Sequence, residues 1–348
     1  MPPPADLKDL TPAEIEQYCS LTLGLRPGAG SRTAALLYRH RIEDLGSMTS
    51  LSRRIREVLT PSCTISRIVV ERIEESSDGT RKLLYRLHDG NAVEGVLIPG
   101  RDRLTLCIST QVGCASGCLF CLTGGAGLVR NLSHAEIVNQ VFAATALAGP
   151  DRISNLVLMG TGEPLSNYDR VRRFITTATD HSGLAFSTKR VTISTCGLAP
   201  MIERLADDDV PASLAVSLNA TTDEVRDRIM PVNKVYPIEQ LIGSLRYYAA
   251  KSGRTVTIEY VLFKGVNDSL EDAHRLIRLL KDLPSMVNLL LFNPFPGAPF
   301  DRPDAESVAV FRDVLVRNKI IVVVRRSRGR DISAACGQLR ARQQAAPK

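Results

Sequence analysis

The chain has 348 residues, 44% of them hydrophobic, with 8 cysteines and a formal net charge of +7 at neutral pH. That length and apolar content suit one large α/β barrel, or a main domain with a small companion. They exclude a membrane-spanning helix, because the strongest apolar run, Ile320 to Val324, is only strand-sized. The opening "MPPPADLKDL" has neither a basic nor an apolar export region, so a cytoplasmic protein with no membrane partner is expected.

Residues 1–62 read as a small helical unit. In "TPAEIEQYC", Thr11 is placed as an N-cap, Pro12 takes the first helical position and Glu14 completes a capping box. "LSRRIREVL" gives a second amphipathic helix starting after Thr49 or Ser50, with "LRPGAGSR" as a loop between them. Residues 63–100 carry three β-rich runs, "SRIVVERIEE", "RKLLYRLHD" and "AVEGVLIP". They are separated by "SSDGT" and "DGN", whose Asp-Gly pairs signal tight turns, so a three-stranded meander is expected.

Residues 101–332 change to regular alternation. The runs "LTLCIST", "NLVLMG", "VTISTC", "SLAVSLN", "VTIEYVLF", "VNLLLFN" and "IIVVVRR" read as strands buried on both faces, with six helical segments between them. Ser133 with Glu136 and Thr221 with Glu224 are capping boxes, and "DSLEDAHRLIRLLKDL" is amphipathic after Asp268. Such alternation demands a parallel sheet with right-handed crossovers, either a full or partial (β/α) barrel or an open doubly wound sheet. Reactive residues then belong at the carboxyl ends of strands. Cys114, Cys118 and Cys121 follow the first strand and "GTGEP" the second, while Ser194, Asn219 and Asn293 lie at later strand ends. Residues 333–348 form a tail. The basic excess gathers nearby, at Arg325, Arg326, Arg328 and Arg330, then Arg340 and Arg342. It suits an anionic partner or, equally, a solvated face.

Three cysteines within "CASGCLFC" pose a choice. A structural zinc site wants four protein ligands, and the chain offers neither a second close pair nor neighbouring histidines. A disulfide leaves an odd thiol and conflicts with a reducing compartment. An iron-sulfur cluster held by three thiolates leaves one iron open for an outside ligand. The spacing, with Phe120 before the last cysteine, resembles the signature of radical S-adenosylmethionine enzymes, in which the open iron chelates that cofactor and an electron cleaves it to a 5′-deoxyadenosyl radical. Glu163 in "GTGEP" is placed to hold an ammonium group, as a similar segment does in that superfamily.

Two further thiols narrow the field: Cys107 in the first strand and Cys336 in the Arg-rich "RRSRGRDISAACGQL". With "TLCISTQVGCASGCLFC", "RNLSHAEIVNQV", "LVLMGTGEPLSN", "RVTISTCG" and "NPFPGAPF", the chain closely resembles the RlmN/Cfr family of radical S-adenosylmethionine RNA methyltransferases, most of all its RlmN branch. The resemblance implies a partial (β/α)6 barrel preceded by an accessory helical domain. It also implies a [4Fe-4S] cluster on Cys114, Cys118 and Cys121, and S-adenosylmethionine used twice per turnover. One cofactor molecule methylates Cys336, and a second yields the radical that takes hydrogen from the S-methyl group. The methylene radical adds to an adenine ring carbon, and Cys107 resolves the protein-RNA adduct, leaving a disulfide. Glu94 would be the acid/base carboxylate. Gly162, Glu163, Ser194, Ser217, Leu218, Asn219 and Asn293 would line the cofactor site, although the family often has histidine at the position of Asn219. Cys19, Cys63 and Cys196 match no catalytic position and are taken as structural.

By the same resemblance the substrates would be 23S ribosomal RNA at the peptidyl-transferase centre and transfer RNA beside the anticodon, methylated at C2 of adenosine. A flavodoxin-type electron donor and a monomeric enzyme are implied. The helical unit and Arg325 to Arg330 are the expected phosphate contacts. Alternatives are C8 methylation of the same ribosomal adenosine as in the Cfr branch, a radical enzyme on a non-RNA substrate, and a non-catalytic iron-sulfur RNA-binding protein.

Overall fold

In the computed structural model of the chain, residues 3–149 and 152–339 are described. Arg340 and Arg342 lie outside them. Near the amino end, Ala5–Asp6 (β1) and Cys63–Thr64 (β2) pair in parallel around three helices, Pro12–Gln17 (α1), Ala29–Ala34 (α2) and Arg53–Ser62 (α3). The capping box of α1 forms as expected: the Glu14 N–H donates to the Thr11 hydroxyl and the Thr11 N–H to the Glu14 carboxylate. Helix α3 starts later than expected, capped by Ser52 rather than Thr49 or Ser50.

The meander consists of Val69–Glu75 (β3), Arg81–Arg86 (β4) and Ala92–Pro99 (β5), turned at the two Asp-Gly pairs, where Gly79 and Gly90 take positive φ. Leu104–Cys107 (β6) follows, then a two-stranded ribbon of Gln111–Cys114 (β7) and Gly127–Asn131 (β8) that brackets the cysteine loop. The remaining strands are Ile153–Leu158 (β9), Val191–Thr195 (β10), Ser213–Ser217 (β11), Val256–Leu262 (β12), Ser285–Leu291 (β13) and Ile321–Arg325 (β14). Their crossovers are His134–Leu147 (α4), Tyr168–Thr179 (α5), Ala199–Asp207 (α6), the pair Asp223–Ile229 (α7) and Ile238–Ser252 (α8), then Leu270–Leu280 (α9) and Ala305–Arg317 (α10).

Seven parallel strands stand side by side, and at β6 the antiparallel meander joins them. The result is one ten-stranded sheet in the order β14-β13-β12-β11-β10-β9-β6-β5-β4-β3. Its ends do not pair, so the barrel is partial. The last strand departs from the expected double burial: Ile321 and Val323 are 65% and 42% exposed, because β14 is an edge strand with α10 on one side only. The cap of α7 is Thr222. Thr221 instead donates its hydroxyl to Asp272 at 2.8 Å.

A continuous apolar core runs from Leu7, Ile15 and Leu37 in the helical unit through Leu106, Ile193 and Val216 in the sheet. Buried polar contacts fix the unit on α4 and α5. Lys8, fully buried, donates to Asn139 at 2.6 Å and also bonds Glu43, and Arg173 reaches Glu14 at 2.7 Å. Removing Glu43 leaves the buried Lys8 ammonium without its counter-charge, at a cost of several kcal/mol, roughly 3–5, whereas the partly exposed Arg173–Glu14 pair contributes less.

Candidate active site

The cysteine loop leaves β7 at Cys114 and is pinned at several points. The Leu119 N–H donates to Ile229 O (3.0 Å), and the Leu122 N–H to Gly337 O (2.8 Å). Phe120 packs on Phe263 with ring centroids 5.6 Å apart, and Phe263 in turn meets Phe292 and Phe300. Gly124 lets the loop fold back on itself, since a Cβ there would lie 2.8 Å from Cys118 O and 2.9 Å from Cys118 N.

All eight cysteines are free thiols, Cys107 and Cys336 included. Burial raises the pKa of Cys114 and of Cys118. For Cys114 a bond to Ser116 opposes the rise. Among the described residues no trio of His, Cys, Asp or Glu closes on a single metal-ion position. A cluster offers each thiolate a separate iron, so its ligands need not converge on one point. The donor set therefore suits an iron-sulfur cluster better than a single ion. Cys114, Cys118 and Cys121 share one cavity of about 180 Å³.

The strand ends complete that cavity. Glu163 follows β9 and is 5% exposed. Its Oε1 accepts from the Leu165 N–H (2.9 Å) and its Oε2 from the Cys196 N–H (2.7 Å). Burial raises its pKa, and these donors oppose the rise. Gly162, Ser194, Ser217 and Asn293 line the same cavity. Asn293 is buried, and its Oδ1 has no hydrogen-bond partner among the described residues. A buried acceptor left open in a cavity wall calls for a ligand donor. S-adenosylmethionine offers such a donor, so the residues present fit that cofactor as well as the cluster.

Leu218 and Asn219 do not reach the cavity. The chain turns there with Asn219 at φ +56°, and the Asn219 Oδ1 accepts from the Val261 N–H at 2.8 Å, which spends the side chain on joining β11 to β12. Arg226, fully buried, holds both neighbouring strand ends through bonds to Cys196 O (2.7 Å), Ser217 O (3.2 Å) and Leu218 O (3.1 Å).

Cys336 opens on the main cavity, where it faces Cys121, Glu259 and Arg325. Burial raises its pKa, Arg325 opposes the rise and Glu259 reinforces it. Cys107 lies behind the wall, packed with Val96, Ala334 and Leu339, and burial pushes its thiol up to about 12. Glu94, 2% exposed on β5, lines a second and larger cavity of about 1130 Å³, 3.7 Å from the Lys82 ammonium. Ile332, Ser333 and Gln338 border that second cavity too, so the segment bearing Cys336 lies between the two.

Sequence reasoning missed Glu259, Arg226 and the inward turn of Arg325. A carboxylate inside the apolar run "VTIEYVLF" was the available signal, since burial of a lone acid in a strand demands a partner or a function. The Asn288 amide donates to Glu259 at 2.9 Å. Arg326, Arg328 and Arg330 remain exposed, so only part of the basic run faces solvent.

Residues 108–277 match the family model of the radical SAM superfamily. A crystal structure of a radical SAM methyltransferase from Sphaerobacter thermophilus aligns with a TM-score of 0.89 at 43% identity, covering 97% of this chain and 99% of that one. The family match and this structural relative place the chain among radical S-adenosylmethionine enzymes, which work with an iron-sulfur cluster and S-adenosylmethionine.

Curated relatives carry the assignment further. The dual-specificity RNA methyltransferase RlmN of Geotalea uraniireducens (strain Rf4) is 48% identical over 337 residues, 97% of each chain. Its counterpart in Pelobacter propionicus is 48% identical over 341 residues, 98% of this chain and 97% of that protein. The chain belongs to the RlmN family, and it is a radical S-adenosylmethionine RNA methyltransferase. Among the described residues no helix is long and apolar enough to cross a membrane.

Proposed function

We propose that the protein methylates C2 of adenosine in 23S ribosomal RNA at the peptidyl-transferase centre and in transfer RNA beside the anticodon, with Cys336 as the methyl carrier. The observation that carries the proposal is the presence of Cys336 in one cavity with the three cluster cysteines and Glu163. Bound there, the cluster and two molecules of S-adenosylmethionine per turnover supply one-electron cleavage and the methyl group.

The chain's own residues divide the remaining work. Cys114, Cys118 and Cys121 hold the cluster. Glu163 accepts from the cofactor ammonium, and Ser194, Ser217 and the open Oδ1 of Asn293 bind its polar groups, while Gly162, Leu218 and Asn219 shape the strand ends around it. Cys107, under the Cys336 segment, resolves the adduct. Glu94 moves the proton at the adenine carbon from the larger cavity, into which the splayed base enters. Exposed Arg26, Arg32, Arg53 and Arg54 on the helical unit, with Arg326 and Arg330, contact phosphates. A flavodoxin-type protein donates the electron, and the enzyme works as a cytoplasmic monomer in ribosomal and transfer RNA processing.

The test is nucleoside mass spectrometry on ribosomal and transfer RNA from cells lacking their own enzyme, with and without this gene. 2-Methyladenosine in both RNAs is expected. 8-Methyladenosine would move the protein to the Cfr-type reaction, and no methyladenosine would point to a different substrate.

A narrower prediction concerns Glu163. A hydrogen bond to a charged group contributes about 1.5–3 kcal/mol. Glu163→Gln removes the charge and keeps the shape, so the Kd for S-adenosylmethionine of the cluster-loaded protein should rise roughly 10- to 100-fold. Equilibrium dialysis reads this directly, and an unchanged Kd would remove Glu163 from the site.

A further inference from the structure

Arg328 to Leu339 contains no helix or strand, yet it must carry Cys336 to a defined place. Its two flanks are tied to different parts of the molecule. On the carboxyl side the ties run to the cysteine loop, where Leu122 N–H donates to Gly337 O (2.8 Å) and the Thr123 hydroxyl to Leu339 O (2.7 Å). On the amino side they run to the turn between β3 and β4. Asp331 accepts there from the Ser76 hydroxyl (2.6 Å) and the Ser77 N–H (3.1 Å), and Asp78 of the turn accepts from the Gly329 N–H (3.1 Å). Each aspartate thus caps the other's loop. Lys82 adds a bond to Ile332 O at 2.7 Å.

A close backbone approach at Gly329 and a left-handed residue at Ser333 mark this segment. Gly329 sits at φ +61°, where a Cβ would come within 2.8 Å of Ala334 Cβ and 2.9 Å of Thr80 Cγ2. Ser333 holds φ +52°, a left-handed conformation that an L-residue keeps only where its surroundings impose it. The local ties of this segment are few: Ser333 N–H to Arg330 O (3.3 Å), Ala334 N–H to Gly329 O (2.8 Å) and Gln338 N–H to Ala335 O (3.0 Å). The bonds from Ser76 and Ser77 lower the pKa of Asp331; burial raises that of Asp78, but bonds from Thr80, Gly329 and Ser76 outweigh it, and the Arg328 guanidinium lies 3.9 Å from Asp78.

We infer that Asp78 and Asp331 are positioning residues: their reciprocal latch, reinforced by Lys82, sets where the Cys336 thiol stands between the two cavities. The catalytic consequence rests on Cys336 being the methyl carrier, whereas the latch itself does not. The inference also explains why the hairpin turn between β3 and β4 packs against the tail.

The test is hydrogen exchange by mass spectrometry on the cluster-loaded protein, compared for wild type, Asp78→Asn, Asp331→Asn and the milder Ser76→Ala, alongside S-methyl occupancy of Cys336 in the same preparations. Each aspartate variant should raise exchange in residues 329–339 at least tenfold, leave α10 and β12 unchanged and lower S-methyl occupancy several-fold. Ser76→Ala should do the same to a smaller degree, and it decides the matter if an aspartate variant does not fold. Unchanged exchange in all variants would overturn the latch. Raised exchange with unchanged occupancy would overturn its positioning role. Raised exchange with no S-methyl group even in wild type would leave the latch standing and remove the methyl-carrier assignment.

Discussion

Cys118→Ala protein is expected to fold and yet to lose both its cluster and every reaction of S-adenosylmethionine. Cys118 is 9% exposed and packs with Ile229, Met230 and Phe263, so a smaller apolar side chain leaves the loop's aromatic anchor in place. Thiolate ligation has no such substitute. Two remaining cysteines cannot hold the cluster in the open-iron arrangement, and burial keeps neighbouring Cys196 as a thiol rather than a replacement thiolate. Iron and sulfide content should fall well below one cluster per chain. Formation of 5′-deoxyadenosine should drop by roughly three orders of magnitude or more. Circular dichroism of the cluster-free forms should match wild type. A variant that retained iron and cleavage would mean that Cys118 is no ligand.

Cys336→Ala should separate the two halves of the chemistry. The thiol faces the cavity from a segment outside the barrel strands, while the groups assigned to the cofactor belong to strand ends and the cysteine loop. Cleavage of S-adenosylmethionine should therefore stay within roughly a factor of three of wild type, whereas RNA methylation should vanish. Loading of a methyl group on Cys336 also carries a pH signature. Cys336 is exposed as a residue, yet burial of its sulfur in the cavity raises the thiol's pKa, so the thiolate is scarce at neutral pH and grows about tenfold per pH unit until that pKa is reached. The loading rate should rise with pH accordingly. Arg325→Met removes the charge that opposes the shift and should slow loading at every pH below the new pKa. A flat profile would place the rate limit elsewhere.

The seven parallel strands were legible because each is an apolar run bounded by turn residues, and the cysteine loop because its spacing is restrictive. The parts that were not legible share a physical cause. Arg325 reads as one of four clustered arginines, yet its register with Leu290 turns it into the cavity while Arg326 points out. Period-two alternation along an edge strand distinguishes neighbours that composition treats alike. Asn219 occupies a strand end, the usual place for a ligand residue, but a left-handed turn directs its amide to Val261 instead. Glu259 hid inside an apolar run. The aspartate latch joins residues about 250 apart in sequence, which no local pattern reports.

Glu94 and Cys107 sit on β5 and β6, adjacent antiparallel strands in which Val96, two residues from Glu94, pairs with Cys107. Groups on neighbouring strands cannot swing apart as groups on two hinged lobes do. In the proposed reaction the enzyme then has no jaw to close across its acid/base carboxylate and its resolving thiol. The conformational work falls on the nucleic acid, which must deliver an unstacked adenosine into a rigid cleft, so an RNA already loosened at the target should be the better guest.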